Sequence, residues 1–174
     1  MKLDSVLKGC GQSVNIWRFE LDDIKVGNTI LLRNDEIHIW PIKWKSIVPF
    51  ILSKWMVMSE VEREKVQRYK LYEDRMRCAT GKIMSRIILA SYTQLQQDTI
   101  HIKVGNYGKP YLGNCTLREI YYNVSHSEDI VLLAFTKLSY IGVDVEKINK
   151  NSNNIEIAKL FTQEEYKAVS GDIL

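Results

Sequence analysis

Residues 121–146 read Tyr-Tyr-Asn-Val-Ser-His-Ser-Glu-Asp-Ile-Val-Leu-Leu-Ala-Phe-Thr-Lys-Leu-Ser-Tyr-Ile-Gly-Val-Asp-Val-Glu, and this stretch decides the fold. Tyr121–Val124, Ile130–Phe135 and Tyr140–Val145 are short runs of aromatic and branched residues, the composition of strands. Ser125 to Asp129 makes a tight polar connection between the first two. Upstream, Ile100, Ile102 and Val104 alternate with His101 and Lys103, another strand, and residues 105–110 form a turn cluster. Before that the period changes. From about Glu73 to Leu95, Met76, Ala79, Thr80, Ile83, Ile87 and Ala90 recur at spacings of three and four, the apolar stripe of a helix.

Ser59-Glu60-Val61-Glu62 is an S-x-x-E capping box and predicts a helix start, with acidic residues near its positive pole. Trp44–Met58 is apolar but contains Pro49, which predicts a broken or late-starting helix. Ile37–Ile42 alternates around His38 and Trp40 and reads as a strand ended by Pro41. Residues 1–34 show no clear period and are expected to form a loosely structured arm. A polar linker, Asn149–Asn154, precedes a last helical stretch, Ile155–Val169. The fold class expected is α/β (α+β), a mostly antiparallel sheet packed on helices.

The 174 residues are 45% hydrophobic and 26% charged, an ordinary globular mixture that excludes disorder. The longest apolar runs, Ile130–Phe135 and Ile47–Leu52, are too short to span a bilayer, so no membrane association is expected. Met1–Glu20 lacks the basic and apolar regions of a secretory signal. Three widely spaced cysteines, an odd number, suit a reducing cytoplasmic location. They do not cluster with His38, His101 or His126, so a zinc site has no support. A net charge of +3 is too small to argue for a nucleic-acid partner.

Four constellations could carry chemistry. Asp144 and Glu146, a strand-step apart, would project together while Val143 and Val145 face the core. Two carboxylates there repel unless a cation lies between them, and magnesium suits few hard oxygen ligands completed by water and phosphate. The plainer reading is an exposed acidic strand face. Ser125 and His126 at a strand end could grip a phosphate through a hydroxyl and an imidazolium. The alternatives are a polar hairpin turn or a serine nucleophile, and no G-x-S-x-G frames the latter. Gly108-Lys109-Pro110 combines close backbone approach, a point charge and a fixed turn, or is simply a turn. Between Glu62 and Arg86 lie eight basic and four acidic residues, either a solvated helix face or a receptor for a polyanion.

In order, the chain carries S-x-x-E-R-E-K (59–65), D-R-x-R-x-x-x-G-K (74–82), Y-G-K-P (107–110), N-V-S-H-S (123–127) and I-G-V-D-V-E (141–146). An aliphatic-Phe-Thr-x-x-E-Tyr stretch (160–166) follows. This succession resembles the surfactin-synthetase-activating type of 4'-phosphopantetheinyl transferase over Ser59 to Tyr166. The resemblance implies two similar lobes with coenzyme A and magnesium in the cleft between them. It implies transfer of the phosphopantetheine arm to a serine of an acyl or peptidyl carrier protein, with release of adenosine 3',5'-bisphosphate. By that resemblance Asp144 and Glu146 look like catalytic metal ligands. Ser125 and His126 look like the pair on the coenzyme phosphates, and Gly108, Lys109 and Pro110 like the loop along the adenine. Lys65 and Arg77 look like the grip on the 3'-phosphate.

Two departures stand out. Glu62 occupies a position that is often lysine in the family, which should weaken the 3'-phosphate grip. The family's W-x-x-K-E helix, with a third metal carboxylate and a phosphate-binding lysine, has no counterpart, since the tryptophans are at 17, 40, 44 and 55. The expected organisation is therefore an N-terminal arm (1–34), a first transferase lobe (35–139) and the incomplete start of a second (140–174). Such a C-terminally truncated transferase is expected to turn over poorly or not at all. A catalytically inactive coenzyme A-binding or carrier-docking fragment is the alternative, and a homo-oligomer that rebuilds the site is a third reading.

Overall fold

A computed structural model describes residues 1–9, 12–24, 29–105, 108–113 and 120–148. The main sheet has five strands: β1 (Lys2–Gly9), β2 (Gln12–Arg18), β3 (Glu36–Lys43), β6 (Tyr121–Ser127) and β7 (Ile130–Thr136), in the order β1-β2-β3-β7-β6. Three pairings are antiparallel and one, β2 with β3, is parallel. A separate ribbon joins β4 (Ile102–Val104) to β5 (Pro110–Leu112). This is the mostly antiparallel α+β architecture that the patterning predicts.

The strand Ile37–Ile42 is present and runs past Pro41 to Lys43. The Ile39 carbonyl accepts from Phe19 N–H, so alternate residues of β3 turn their main-chain groups toward β2. The paired register of β2 ends at Arg18 opposite Ile39. The ring nitrogen of Pro41 therefore faces a side with no ladder partner, and its missing N–H costs nothing there. The buried face of β3 carries Glu36, His38, Trp40 and Ile42.

Ser59 caps α2 (Glu60–Gln67): its hydroxyl accepts from Glu62 N–H while the Glu62 side chain reaches back to Ser59 N–H. Pro49 sits in the first turn of the short α1 (Val48–Ser53), where a proline is tolerated. The expected long helix is α3 (Tyr72–Thr93). It is buried well beyond one stripe, with Met76, Ala79, Ile83, Met84 and Ile88 inaccessible to solvent. It touches both α1 and α2 and packs across β6 and β7. At the crossing, a Cβ added to Gly81 would stand 3.1 Å from Val124 Cγ1, so glycine permits the close approach.

Three expectations need correction. Residues 1–34 are not a loose arm in their described parts: β1 and β2 extend the sheet, and Phe19 and Leu32 enter the core. Tyr140–Val145 is not a strand, because no neighbour offers it a main-chain ladder among the described residues. Ser125 and His126 are not in a turn; β6 continues to Ser127, and only Glu128 and Asp129 make the connection. The linker 149–154 and the helical stretch 155–169 lie outside the described residues.

Candidate functional site

β6 is an edge strand, and it organises the predicted residues. Successive strand side chains point to opposite faces. Val124 meets α3 at Gly81, so Tyr122, Val124 and His126 face the helices, and Tyr121, Asn123 and Ser125 face the other way. Ser125 and His126 are thus adjacent in sequence but divided by the sheet edge. A ligand lying over that edge could reach both.

On the Ser125 face lies the extended segment 140–147. The Ser125 hydroxyl donates to Asp144 Oδ1 at 2.6 Å and accepts from Val145 N–H at 3.3 Å. Asn123 Oδ1 accepts from Val143 N–H at 3.1 Å. Exposure alternates along the segment: Asp144 and Glu146 are exposed, and Val143 and Val145 half-buried. The two carboxylates therefore project together, as their spacing predicts. Their chemistry fits a hard cation that keeps water and phosphate oxygens as its other ligands. Among the described residues no third histidine, cysteine or acidic side chain joins them.

On the opposite face, near the β6–β7 turn, His126 is exposed. Arg77 of α3 donates to the Glu128 carbonyl at 2.9 Å and pairs with Asp74 at 2.6 Å. The Trp44 indole donates to the same carbonyl at 2.9 Å. Glu128 has φ 49°, so two donors hold a non-glycine residue in the left-handed region. Lys65 is exposed in the last turn of α2. The structure thus brings Arg77 to the β6–β7 turn, at the end of β6 that carries His126.

The loop of Gly108 lies at the other end. Gly108 has φ 76°, exposed Lys109 follows it, and half-buried Pro110 is the first residue of β5. Lys109, Pro110, Tyr111, Tyr121, Tyr122 and Tyr140 line an open cavity of about 820 Å³. From Tyr121 to His126 is a track of about 17 Å, taking roughly 3.4 Å per strand residue. The motifs alone assign no individual role to Asn123 or to the Tyr121–Tyr140 pair. The period of two from Tyr121 through Asn123 to Ser125 was the available signal.

The basic stretch is largely committed within the protein. Arg86 is buried and pairs with Glu62 at 2.6 Å, and Lys82 reaches the same carboxylate at 3.4 Å. Burial works against ionised Glu62, but Arg86, Lys82 and the Ser59 amide outweigh it and hold the carboxyl below its ordinary range. Glu62, which stands where a phosphate-binding lysine was expected, is the hub of the α2–α3 contact.

Residues 42–138 match the family described as 4'-phosphopantetheinyl transferase, N-terminal. The chain is 27% identical over 133 residues to the 4'-phosphopantetheinyl transferase HetI of a Nostoc species, covering 76% of this chain and 56% of that protein. It is 34% identical over 104 residues to a 4'-phosphopantetheinyl transferase of Bacillus subtilis, covering 60% of this chain and 44% of that protein. It is 30% identical over 109 residues to the 4'-phosphopantetheinyl transferase gsp of Aneurinibacillus migulanus, covering 61% and 43%. The chain spans about half the length of these relatives. No helix among the described residues is long and apolar enough to cross a membrane.

Proposed function

The chain belongs to the 4'-phosphopantetheinyl transferase family, and from that premise we propose that it binds coenzyme A along β6 for transfer of phosphopantetheine to a carrier-protein serine. The observation that carries this reading is the hydrogen bond from Ser125 to Asp144, which holds an exposed carboxylate against the strand that also borders the 820 Å³ cavity. The adenine end would lie at Gly108, Lys109 and Pro110, with the pyrophosphate over the β6 edge at Ser125 and His126. Lys65 and Arg77 would meet the 3'-phosphate. The same reading takes 35–139 as the first lobe, with β1 and β2 added to its sheet, and 140–174 as the opening of a second.

In the reaction, the carrier serine oxygen bonds to the phosphorus that bears the pantetheine arm. The bond from that phosphorus to the bridging oxygen breaks, and adenosine 3',5'-bisphosphate leaves with the electron pair. The serine proton passes to a general base. Held by Asp144 and Glu146 against the pyrophosphate, magnesium would supply positive charge for the leaving group. His126 donates a ring N–H to the same oxygens. An acyl or peptidyl carrier protein in the cytoplasm is the partner this chemistry requires, and neither nucleic acid nor membrane enters it.

Calorimetric titration with coenzyme A, with and without magnesium, tests the proposal, followed by a carrier-protein transfer assay. Magnesium-dependent binding lost in Asp144→Ala is the expected result. His126→Ala should weaken binding by about 1–3 kcal/mol, the range for losing a hydrogen bond to a charged group. Absence of binding by a folded chain would overturn the reading. Binding without transfer is the result expected of a coenzyme-binding or carrier-docking chain without catalysis.

A further inference from the structure

Residues 140–147 are attached to β6 without a main-chain ladder. The segment runs in the same direction as the strand, yet among the described residues no backbone hydrogen bond joins them. Side chains make the connection instead. The Tyr121 and Tyr140 rings lie 5.0 Å apart. Asn123 Oδ1 takes the Val143 N–H, and Ser125 Oγ takes the Val145 N–H. Glu128 pairs with Lys147 at 3.5 Å. Asn123 and Ser125 are two apart, as are Val143 and Val145, so the two acceptors repeat at the interval of a strand's inward-facing amides.

We infer that Asn123 and Ser125 are positioning residues, whose side chains stand in for a neighbouring strand's carbonyls and thereby fix the Asp144–Glu146 pair. This rests on the reading of that pair as the cation site of the transferase. Asp144 is exposed, so packing does not hold it. It is bracketed by two anchored amides, one on each side, and its Oδ1 is fixed by the Ser125 hydroxyl. A carboxylate ligand is useful only when a second group sets its orientation. A hydroxyl has one proton to give. Ser125 spends it on Asp144, which leaves His126 as the phosphate donor of the pair. Asn123 touches no reacting atom, and its contribution passes through the backbone of Val143.

Amide hydrogen exchange followed by NMR on the metal-free chain tests the ladder directly. Asn123→Leu should speed exchange at Val143 about tenfold, the change for losing one hydrogen bond, and leave Leu133 in β7 protected. Ser125→Ala should do the same at Val145, and Ser125→Thr, which keeps the hydroxyl, should restore protection. If Asn123→Leu also loses protection at Leu133, the serine pair decides. Unchanged exchange at Val143 and Val145 in folded variants would overturn the inference. Mn2+ uptake in the presence of coenzyme A, read by water-proton relaxation, supplies the second readout. Asn123→Leu should weaken it about 10–100-fold, the usual effect of removing an outer-shell partner. Equal Mn2+ affinity despite lost protection would overturn the positioning role. An unsubstituted chain that takes up no Mn2+ while Val143 and Val145 stay protected would overturn the cation-site reading and leave the side-chain ladder standing.

Discussion

Glu62 Oε2 and Arg86 Nη2 stand 2.6 Å apart between α2 and α3, with the Arg86 side chain 5% exposed and that of Glu62 14%. One carboxylate therefore closes the N-terminal cap of α2, neutralises a buried guanidinium and receives Lys82. Local and tertiary structure depend on the same group.

Glu62→Ala should be strongly destabilising, because it leaves Arg86 buried without its counter-charge. About 3 kcal/mol is expected, the low end for breaking a buried pair. Urea unfolding should show a lower midpoint at an unchanged slope. The folded-state carboxyl lies below its ordinary 4.5, so the unfolded chain takes up the proton first. The stability it contributes is present above pH 4.5 and lost as pH falls through the depressed folded value. Glu62→Gln should flatten that acid limb; an unaltered limb would refute the assignment.

A second pH effect arises at His38. Burial lowers its pKa from 6.5 to about 4, against the opposing pull of Glu36. The Glu36 carboxylate only accepts, so His38 Nε2–H donates to it across 3.2 Å, and Nδ1 accepts from the Tyr92 hydroxyl at 2.9 Å. Trp40 Nε1–H donates to that hydroxyl in turn. The folded chain excludes a proton that the unfolded chain accepts, so stability should fall as pH drops from 6.5 toward 4, by about 3 kcal/mol in all. His38→Gln should remove this slope. Unfolding midpoints at pH 7, 5.5 and 4.5 would check it.

Arg77 separates a ligand-binding role from a structural one. Its guanidinium already serves Glu128 and Asp74. Arg77→Met should lower stability by about 1 kcal/mol, through the loss of a partly exposed ion pair with Asp74 and one hydrogen bond to the Glu128 carbonyl. If it also grips the 3'-phosphate, the unsubstituted chain should prefer coenzyme A over dephospho-coenzyme A, and Arg77→Met should shrink that preference. Equal affinity of the unsubstituted chain for the two would exclude the 3'-phosphate role of Arg77 and Lys65.

Gly81→Val should destabilise by about 1–3 kcal/mol, the range for overpacking a filled core. Its first added carbon already falls 3.1 Å from Val124 and 3.8 Å from Val131. Thermal unfolding would measure the effect, and a variant as stable as the parent would show that the α3–sheet crossing can open.

The Ser59 box, the Pro49 start of α1, the length of α3 and the β6–β7 pair were all legible in the sequence, because each depends on neighbours within a few residues. The N-terminal hairpin was not. The first six residues, which include most of β1, are exposed, and an edge strand with little to bury has no period to read. Arg86 carried no mark that set it apart from the other cations of its stretch, since its burial depends on a carboxylate 24 residues away.

The sequence by itself determined the family, through ordered motifs whose spacing survives without any knowledge of contacts. It also determined that Asp144 and Glu146 share a side, since period-two alternation is a property of extended backbone. Only the tertiary structure decided which groups those carboxylates meet. Ser125 and Asp144 are 19 residues apart, and their 2.6 Å contact exists because the chain after β7 doubles back along the side of β6 opposite β7, where no strand pairs with it among the described residues. The same edge divides Ser125 from His126, for a strand turns consecutive side chains to opposite faces whatever their chemistry.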